Sequence, residues 1–242
     1  MKRVASPAPA VHEPRLARIA AQIAEPARAR MLAYLMGGDY ASAGELARAA
    51  SVAASTASEH LARLQAEGLV VVHARGRHRY FRLADADVAR LLEALALVAE
   101  RDAHARNWAS PARQRLRCAR SCYGHLAGVL GVRLLEAMLD RGWLHSVTGG
   151  YALTRSGAGW LRELGLQDAD IAALESGRAG YPCMDWSERR DHLAGPLANR
   201  LLAHLLGQGW LRRRAGERSL ELTPPGRQAL GRWVGLDLDS AA

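Results

Sequence analysis

From Arg15 onward, apolar residues recur at three- and four-residue intervals: Leu16, Ile19 and Ile23, then Ala27, Met31, Leu32 and Leu35. This spacing predicts two amphipathic helices, the second opening at Pro26, whose ring suits a first helical turn. Gly37 and Gly38 end it. The stretch "GELARAA" predicts a short helix from about Ala43 to Ala50, buried at Leu46, Ala47 and Ala50, with a tight turn at Ser51 and Val52. A further helix begins near Ala54, carries Ala57, Leu61 and Leu64 on its buried face, and stops at Gly68, where a left-handed C-cap is natural. The period then changes to two. "LVVVHARGRHRYFRL" places β-branched and aromatic residues on both sides of "ARGRH", a hairpin signature with Gly76 at the turn. Asp85 caps a long helix whose Val88, Leu91, Leu92, Leu95 and Val98 form a stripe wider than one small domain needs, so this helix is expected to pack against a partner chain.

The polar positions of the fourth helix and the hairpin point to nucleic acid. A helix lying in a DNA major groove presents short polar groups near its N-terminus while its other face stays packed on the domain. Ser55, Thr56, Ser58, Glu59, His60 and Arg63 are placed on that outer face. Between Val70 and Leu83 the hairpin carries Arg75, Arg77, Arg79 and Arg82 and no acid. Alternation puts Arg77 and Arg79 on one strand face and Arg75 at the tip, with His78 nearby. The candidate DNA contacts are therefore Ser55, Thr56, Ser58, Glu59, His60, Arg63, Arg75, Arg77, His78 and Arg79. Glu59 either accepts a hydrogen bond from cytosine or pairs with Arg63, and the pairing is the favoured reading. The competing reading, a winged helix used for protein contacts, is opposed by four arginines with no acid among them.

"TASEHLARLQAEGLV" followed by "GRHRYFRL" resembles the ArsR type of winged helix-turn-helix repressors, over roughly residues 15–107. The resemblance implies a homodimer on a palindromic operator in double-stranded DNA, with its affinity changed by an effector. The metal sites of such relatives require cysteines in the first helix of the helix-turn-helix, where this chain has "GELARAA", or a His and carboxylate pair along the helix after the hairpin, where it offers Asp85, Asp87 and a lone His104. Neither pattern is present.

The second half is self-similar. "HLAGVLGVRLLEAMLDRGWL" from His125 and "HLAGPLANRLLAHLLGQGWL" from His192 match at 12 of 20 positions, and each is followed by a hairpin pattern and then "LT" and a glycine. The expected fold is mainly α with small β-hairpin wings (α+β): a winged helix-turn-helix domain over 14–107, after a disordered leader over 1–13, and a C-terminal effector domain over 108–242. The latter is read as two repeated helix-hairpin-helix units, about 113–170 and 183–237. Their helices are apolar around most of their circumference, so they are expected to pack on each other rather than to read DNA. Arg212, Arg213 and Arg214 are read as a solvated hairpin edge.

Two kinds of effector site are open. In "RLRCARSCYGHLAG" a continuous helix puts Cys118, Cys122 and His125 on one side, and thiolates so spaced, with Cys183 as a third ligand and Arg117 and Arg120 lowering their pKa, suit a soft metal, a metalloid or thiol-redox sensing, in the rival reading a protein whose sulfur chemistry is primary. Alternatively, Tyr123, His125, Trp186 and His192 line an apolar pocket for a small molecule. Trp143 and Trp210 are read as core plugs.

The formal charge of +9 and the pI near 10.3 agree with an acidic partner, although Lys2 is the sole lysine and the excess is almost all arginine. Three cysteines make no even disulfide framework, and no apolar run approaches the roughly 20 residues of a membrane span, so a cytoplasmic protein is expected. No cofactor is implied. No P-loop, dinucleotide fingerprint or zinc-protease motif occurs, and Cys122 and His125 lack an oxyanion-forming loop, so no enzyme is expected.

Overall fold

A computed structural model describes residues 13–76, 78–101 and 110–234. They form two compact units, one of residues up to Leu35 with Tyr40–Asp85, the other of Met36–Asp39 with the chain from Ala86 onward.

The first unit runs α1 (Glu13–Ala24), α2 (Pro26–Leu35), β1 (Ala41–Ser42), α3 (Ala43–Ala50), α4 (Ala54–Ala66), β2 (Val70–Arg75) and β3 (His78–Leu83). Ser42 starts α3 with a capping box: its hydroxyl accepts from the Glu45 N–H at 3.3 Å, and the Glu45 carboxylate accepts from the Ser42 N–H at 2.8 Å. Ser51, in the left-handed region, ends α3 and allows α4 to begin three residues later. Met31, Leu32, Leu46, Ala50, Ala57, Leu61 and Leu64 bury the faces predicted from the spacing. The sheet order is β1-β3-β2, with Val70 opposite Leu83 and Arg75 opposite His78. The helix-turn-helix and wing are thus as the periodicity predicted. Apart from Glu13, the expected leader lies outside the described residues, as do Arg77 and His104.

The second unit begins with α5 (Ala86–Ala99), whose buried Glu93 is paired with Arg218 at 3.1 Å. By compactness this helix groups with the second unit, and the first unit ends at Asp85. There follow α6 (Pro111–Cys118), β4 (Arg120–Cys122), β5 (His125–Ala127), α7 (Val129–Asp140), β6 (Leu144–Val147), β7 (Gly150–Leu153), α8 (Arg155–Leu164), α9 (Asp168–Glu175), β8 (Tyr181–Met184), β9 (Asp191–Ala194), α10 (Pro196–Gly207), β10 (Leu211–Arg213), β11 (Leu220–Leu222) and α11 (Pro224–Val234). The core is made by Leu130, Leu134, Leu135 and Met138 of α7, Leu197, Leu201, Leu202 and Leu205 of α10, and Trp160 and Leu161 of α8. Trp143 stacks on Trp160 with 4.1 Å between ring centroids, in agreement with its reading as a core residue.

The turns entering α8 and α11 share one geometry. Thr154 Oγ1 donates to the Gly142 carbonyl at 2.7 Å and accepts from the Gly157 N–H at 3.0 Å; Thr223 Oγ1 donates to the Gly209 carbonyl at 2.8 Å and accepts from the Gly226 N–H at 3.2 Å. A β-carbon on Gly157 would lie 2.2 Å from the Trp143 carbonyl oxygen, and one on Gly226 2.1 Å from that of Trp210. Only glycine lets the helix approach the strand this closely.

One expected element is overturned. The helix drawn through Cys118, Cys122 and His125 stops at Cys118. Tyr123 and Gly124 both have positive φ, 48° and 95°, and make a two-residue hairpin turn that places Cys122 directly opposite His125 on paired strands. Strand pairing outweighs the weak helical periodicity of this short polar stretch.

Candidate nucleic-acid interface and a buried cysteine-histidine cluster

In the first unit, α4 turns one side inward through Ala57, Leu61 and Leu64, and that choice exposes Ser55, Ser58, Glu59 and Arg63, with Thr56 half-buried. The α4 N-terminus has no side-chain cap, so its first N–H groups face outward beside these residues. His60, expected on the same surface, turns inward. Its Nδ1 lies 3.4 Å from Arg28 Nη1 and 3.8 Å from a Glu25 carboxylate oxygen, because position 60 adjoins buried Leu61 on the side facing α2. The expected Glu59–Arg63 ion pair is not formed among the described residues, and both side chains stay exposed.

On the wing, Arg75, His78 and Arg79 are exposed at and next to the hairpin end. Arg82 is half-buried, its guanidinium 5.4 Å from the Tyr40 ring centroid, while Arg75 lies 5.6 Å from the same centroid. Tyr40 thus faces two of the wing cations, Arg75 and Arg82, while His78 and Arg79 stay exposed.

The second unit brings together residues that the sequence reading had divided between two sites. Cys183 of β8 stands opposite His192 of β9, as Cys122 stands opposite His125. The four ligand atoms of Cys122, His125, Cys183 and His192 all lie within 4.8 Å of one another. Cys118 is not in this group, so the expected triad of Cys118, Cys122 and Cys183 is replaced by a two-sulfur, two-imidazole set. Tyr123 occupies the adjacent turn and Trp186 is buried in the β8–β9 connection under the Arg120 guanidinium at 4.5 Å, so Trp186 is core and not a linker residue open to a ligand. The depression lined by Arg90, Val147, Tyr151, Arg178 and Tyr181 contains none of the four residues expected to hold an effector.

The support beneath the cluster escaped the sequence reading. Asp185, fully buried, faces His192 Nδ1 at 3.3 Å through Oδ2 and Arg120 at 2.9 Å through Oδ1. The same carboxylate accepts from the Gly128 N–H at 2.7 Å, the Ser187 N–H at 2.9 Å and the Ser187 hydroxyl at 2.7 Å. Burial opposes its charge, but His192 and Arg120 hold its carboxyl well below the ordinary range. Burial also opposes charge on His192, yet Asp185 raises it to about 9, whereas burial pushes His125 down to about 3. The cysteines depart from expectation too. The Cys122 thiol is raised by its hydrogen bond with Cys183 and by burial, and Cys118 is raised by burial. The arginines invoked to lower them are engaged elsewhere, Arg117 with Glu188 at 2.8 Å and Arg120 with Asp185. No alternation or spacing marked Asp185; the signal available was the His125–His192 correspondence in the repeat.

A helix-turn-helix domain family matches residues 23–73. An uncharacterised helix-turn-helix transcriptional regulator of Bacillus subtilis, YdfF, is 35% identical over 225 residues, 93% of this chain and 99% of that protein. The chain belongs to the helix-turn-helix family of transcriptional regulators. Among solved structures, the winged helix-turn-helix domain of Mycobacterium bovis Mb0332, described as homodimeric and possibly of the ArsR family, is 29% identical and covers 42% of this regulator and 93% of that chain, with a TM-score of 0.37. The cadmium sensor CMTR of Mycobacterium tuberculosis is 36% identical and covers 34% of the regulator and 85% of its own chain, with a TM-score of 0.31. Among the regulator's described residues no helix is long and apolar enough to cross a membrane.

Proposed function

We propose that this regulator is a homodimeric ArsR-type repressor that binds a palindromic operator, with affinity set by an effector held in its second unit. The observation that carries the reading is the pairing of an outward polar face on α4, Ser55, Ser58 and Arg63, with a wing whose exposed Arg75, His78 and Arg79 meet no acid on the hairpin. Bases are read from the first and phosphates from the second. Dimerisation is supported by α5, which leaves Leu91, Leu95 and Val98 exposed at i, i+4 and i+7 on their own chain. The matched Thr and Gly turns before α8 and α11 support reading α7–α8 and α10–α11 as duplicated helix-hairpin-helix units forming one effector domain.

The test is selection of binding sites from a random duplex pool, followed by a salt titration of the selected sequence. An inverted repeat with half-sites about one helical turn apart is expected. Changing Arg75→Ala and Arg79→Ala together should weaken binding at every sequence and flatten the logarithmic salt slope by roughly 2. Selection of no duplex, or a slope indifferent to these arginines, refutes the reading.

A further inference from the structure

We propose that Cys122, His125, Cys183 and His192 form a closed, four-coordinate site for a borderline-soft divalent cation, zinc(II). The site belongs to the second unit alone and stands whether or not the operator reading does. Four observations converge on it.

The first is the donor set. Two thiolates and two imidazoles are the ligands of tetrahedral zinc, and they are too soft for calcium or magnesium, which take oxygen. The second is dimension. With zinc–nitrogen bonds of about 2.0–2.1 Å, a tetrahedron holds its two nitrogens roughly 3.3 Å apart. His125 Nδ1 and His192 Nε2 face each other at 3.2 Å, and all four donor atoms fit within 4.8 Å. The third is construction. The histidines are equivalent in the internal repeat, offset by 67 residues, but the cysteines are not: Cys122 precedes its histidine by three residues and Cys183 precedes its own by nine. Two hairpins of different loop length nevertheless put each cysteine directly opposite a histidine. A repeat preserved for packing alone has no reason to converge on both.

The fourth is the support behind the ligands. A metal-bound histidine commonly gives its second ring nitrogen to a carboxylate, which fixes its orientation. Asp185 stands at His192 Nδ1 in that position, itself fixed by Arg120, Gly128 and Ser187. Charge balances as well. Zinc(II) entering the site displaces two thiol protons and the Nε2 proton of His192 to solvent, and two thiolates then neutralise the ion, beside an Arg120–Asp185 pair that is neutral by itself. A buried site so composed holds no net charge. Cys122, His125 and His192 are buried, whereas Cys183 is half-buried and gives the ion its entry.

The experiment uses the full chain, reduced and stripped of metal, with cobalt(II) and zinc(II) as probes. One cobalt(II) per chain is expected, with strong tetrahedral ligand-field bands and a thiolate-to-cobalt charge-transfer band, both erased by one equivalent of zinc(II). Cys122→Ser with Cys183→Ser should abolish the charge-transfer band, and Asp185→Asn should weaken affinity about 10–100-fold while retaining the tetrahedral spectrum. Thiol alkylation of the unaltered chain guards against a variant that fails to fold. Zinc(II) should protect Cys122 and Cys183 but leave Cys118 as reactive as before. Weak octahedral bands, a spectrum unchanged by the cysteine substitutions, no protection by zinc(II), or uptake of metal only after a Cys122–Cys183 disulfide has formed would each overturn the assignment.

Discussion

Replacement of Arg120 by methionine in the metal-free chain probes what holds the second unit together. Arg120 and Asp185 have no exposed side-chain surface and meet at 2.9 Å. Removing one member of a buried ion pair costs up to about 3–5 kcal/mol, and Asp185 keeps a second cationic partner in His192 at 3.3 Å. Methionine keeps the length of the side chain and a favourable contact between sulfur and the Trp186 ring, so the loss is expected to come from the charge and not from a cavity. Asp185 retains its hydrogen bonds from Gly128 and Ser187, which holds the effect inside that range. At about 2–4 °C per kcal/mol for a unit of this size, the midpoint should fall by roughly 6–20 °C. All six tryptophans lie at or beyond position 108, so tryptophan emission during thermal or denaturant unfolding reports this unit. The control is Arg120→Met combined with Asp185→Asn, which removes both charges and should cost well under the sum of the two single changes. A single-variant loss below about 1 kcal/mol, or strictly additive losses, would refute the view that this pair supports the cluster.

Other outcomes follow from local geometry. Ser42→Ala removes the capping box of α3 and should cost about 0.5–2 kcal/mol by denaturant unfolding. The Glu45 carboxyl is held below its ordinary value chiefly by the Ser42 N–H, so its contribution is present above the unfolded value, about 4.3, and is lost as pH falls through the lowered folded value. Because Ser42→Ala keeps that N–H, the stability difference between wild type and variant should shrink on acidification only by the share that the Ser42 hydroxyl donates to the Glu45 carboxylate at 2.7 Å. Gly157→Ala and Gly226→Ala each drive a methyl group into a carbonyl oxygen and should lower the midpoint of the second unit by the equivalent of about 1–3 kcal/mol or more, whereas Gly207→Ala, with open space at its β-carbon, should not. Leu61→Ala, emptying a fully packed site on the inner face of α4, should cost about 2–5 kcal/mol and weaken duplex binding through loss of the folded unit.

The first unit was legible because its signals are local. The spacing of Ala57, Leu61 and Leu64 decides which side of α4 is inward, and therefore which residues it presents outward. The change of period after Gly68 decides the wing. His60 defeated that logic because its orientation depends on Glu25 and Arg28, side chains more than thirty residues away. In the second half the apolar stripes of α7 and α10 were readable, but the segment from Cys118 to His125 was too short for periodicity to settle, and the Tyr123–Gly124 turn decided it. A cysteine and a glycine flanking one aromatic before the repeated "HLAG" was the available clue to a hairpin.

Sequence alone determined the family, the helix-turn-helix with its cationic wing, and the internal repeat, because each is written in residues near one another along the chain and in a period set by backbone geometry. Tertiary structure decided which polar groups meet. Asp185 reaches Arg120 across 65 positions, and two cysteines and two histidines reach one another from separate hairpins. Such meetings are fixed by how the core of α7, α8 and α10 closes, a property of summed packing that no single stretch of residues records.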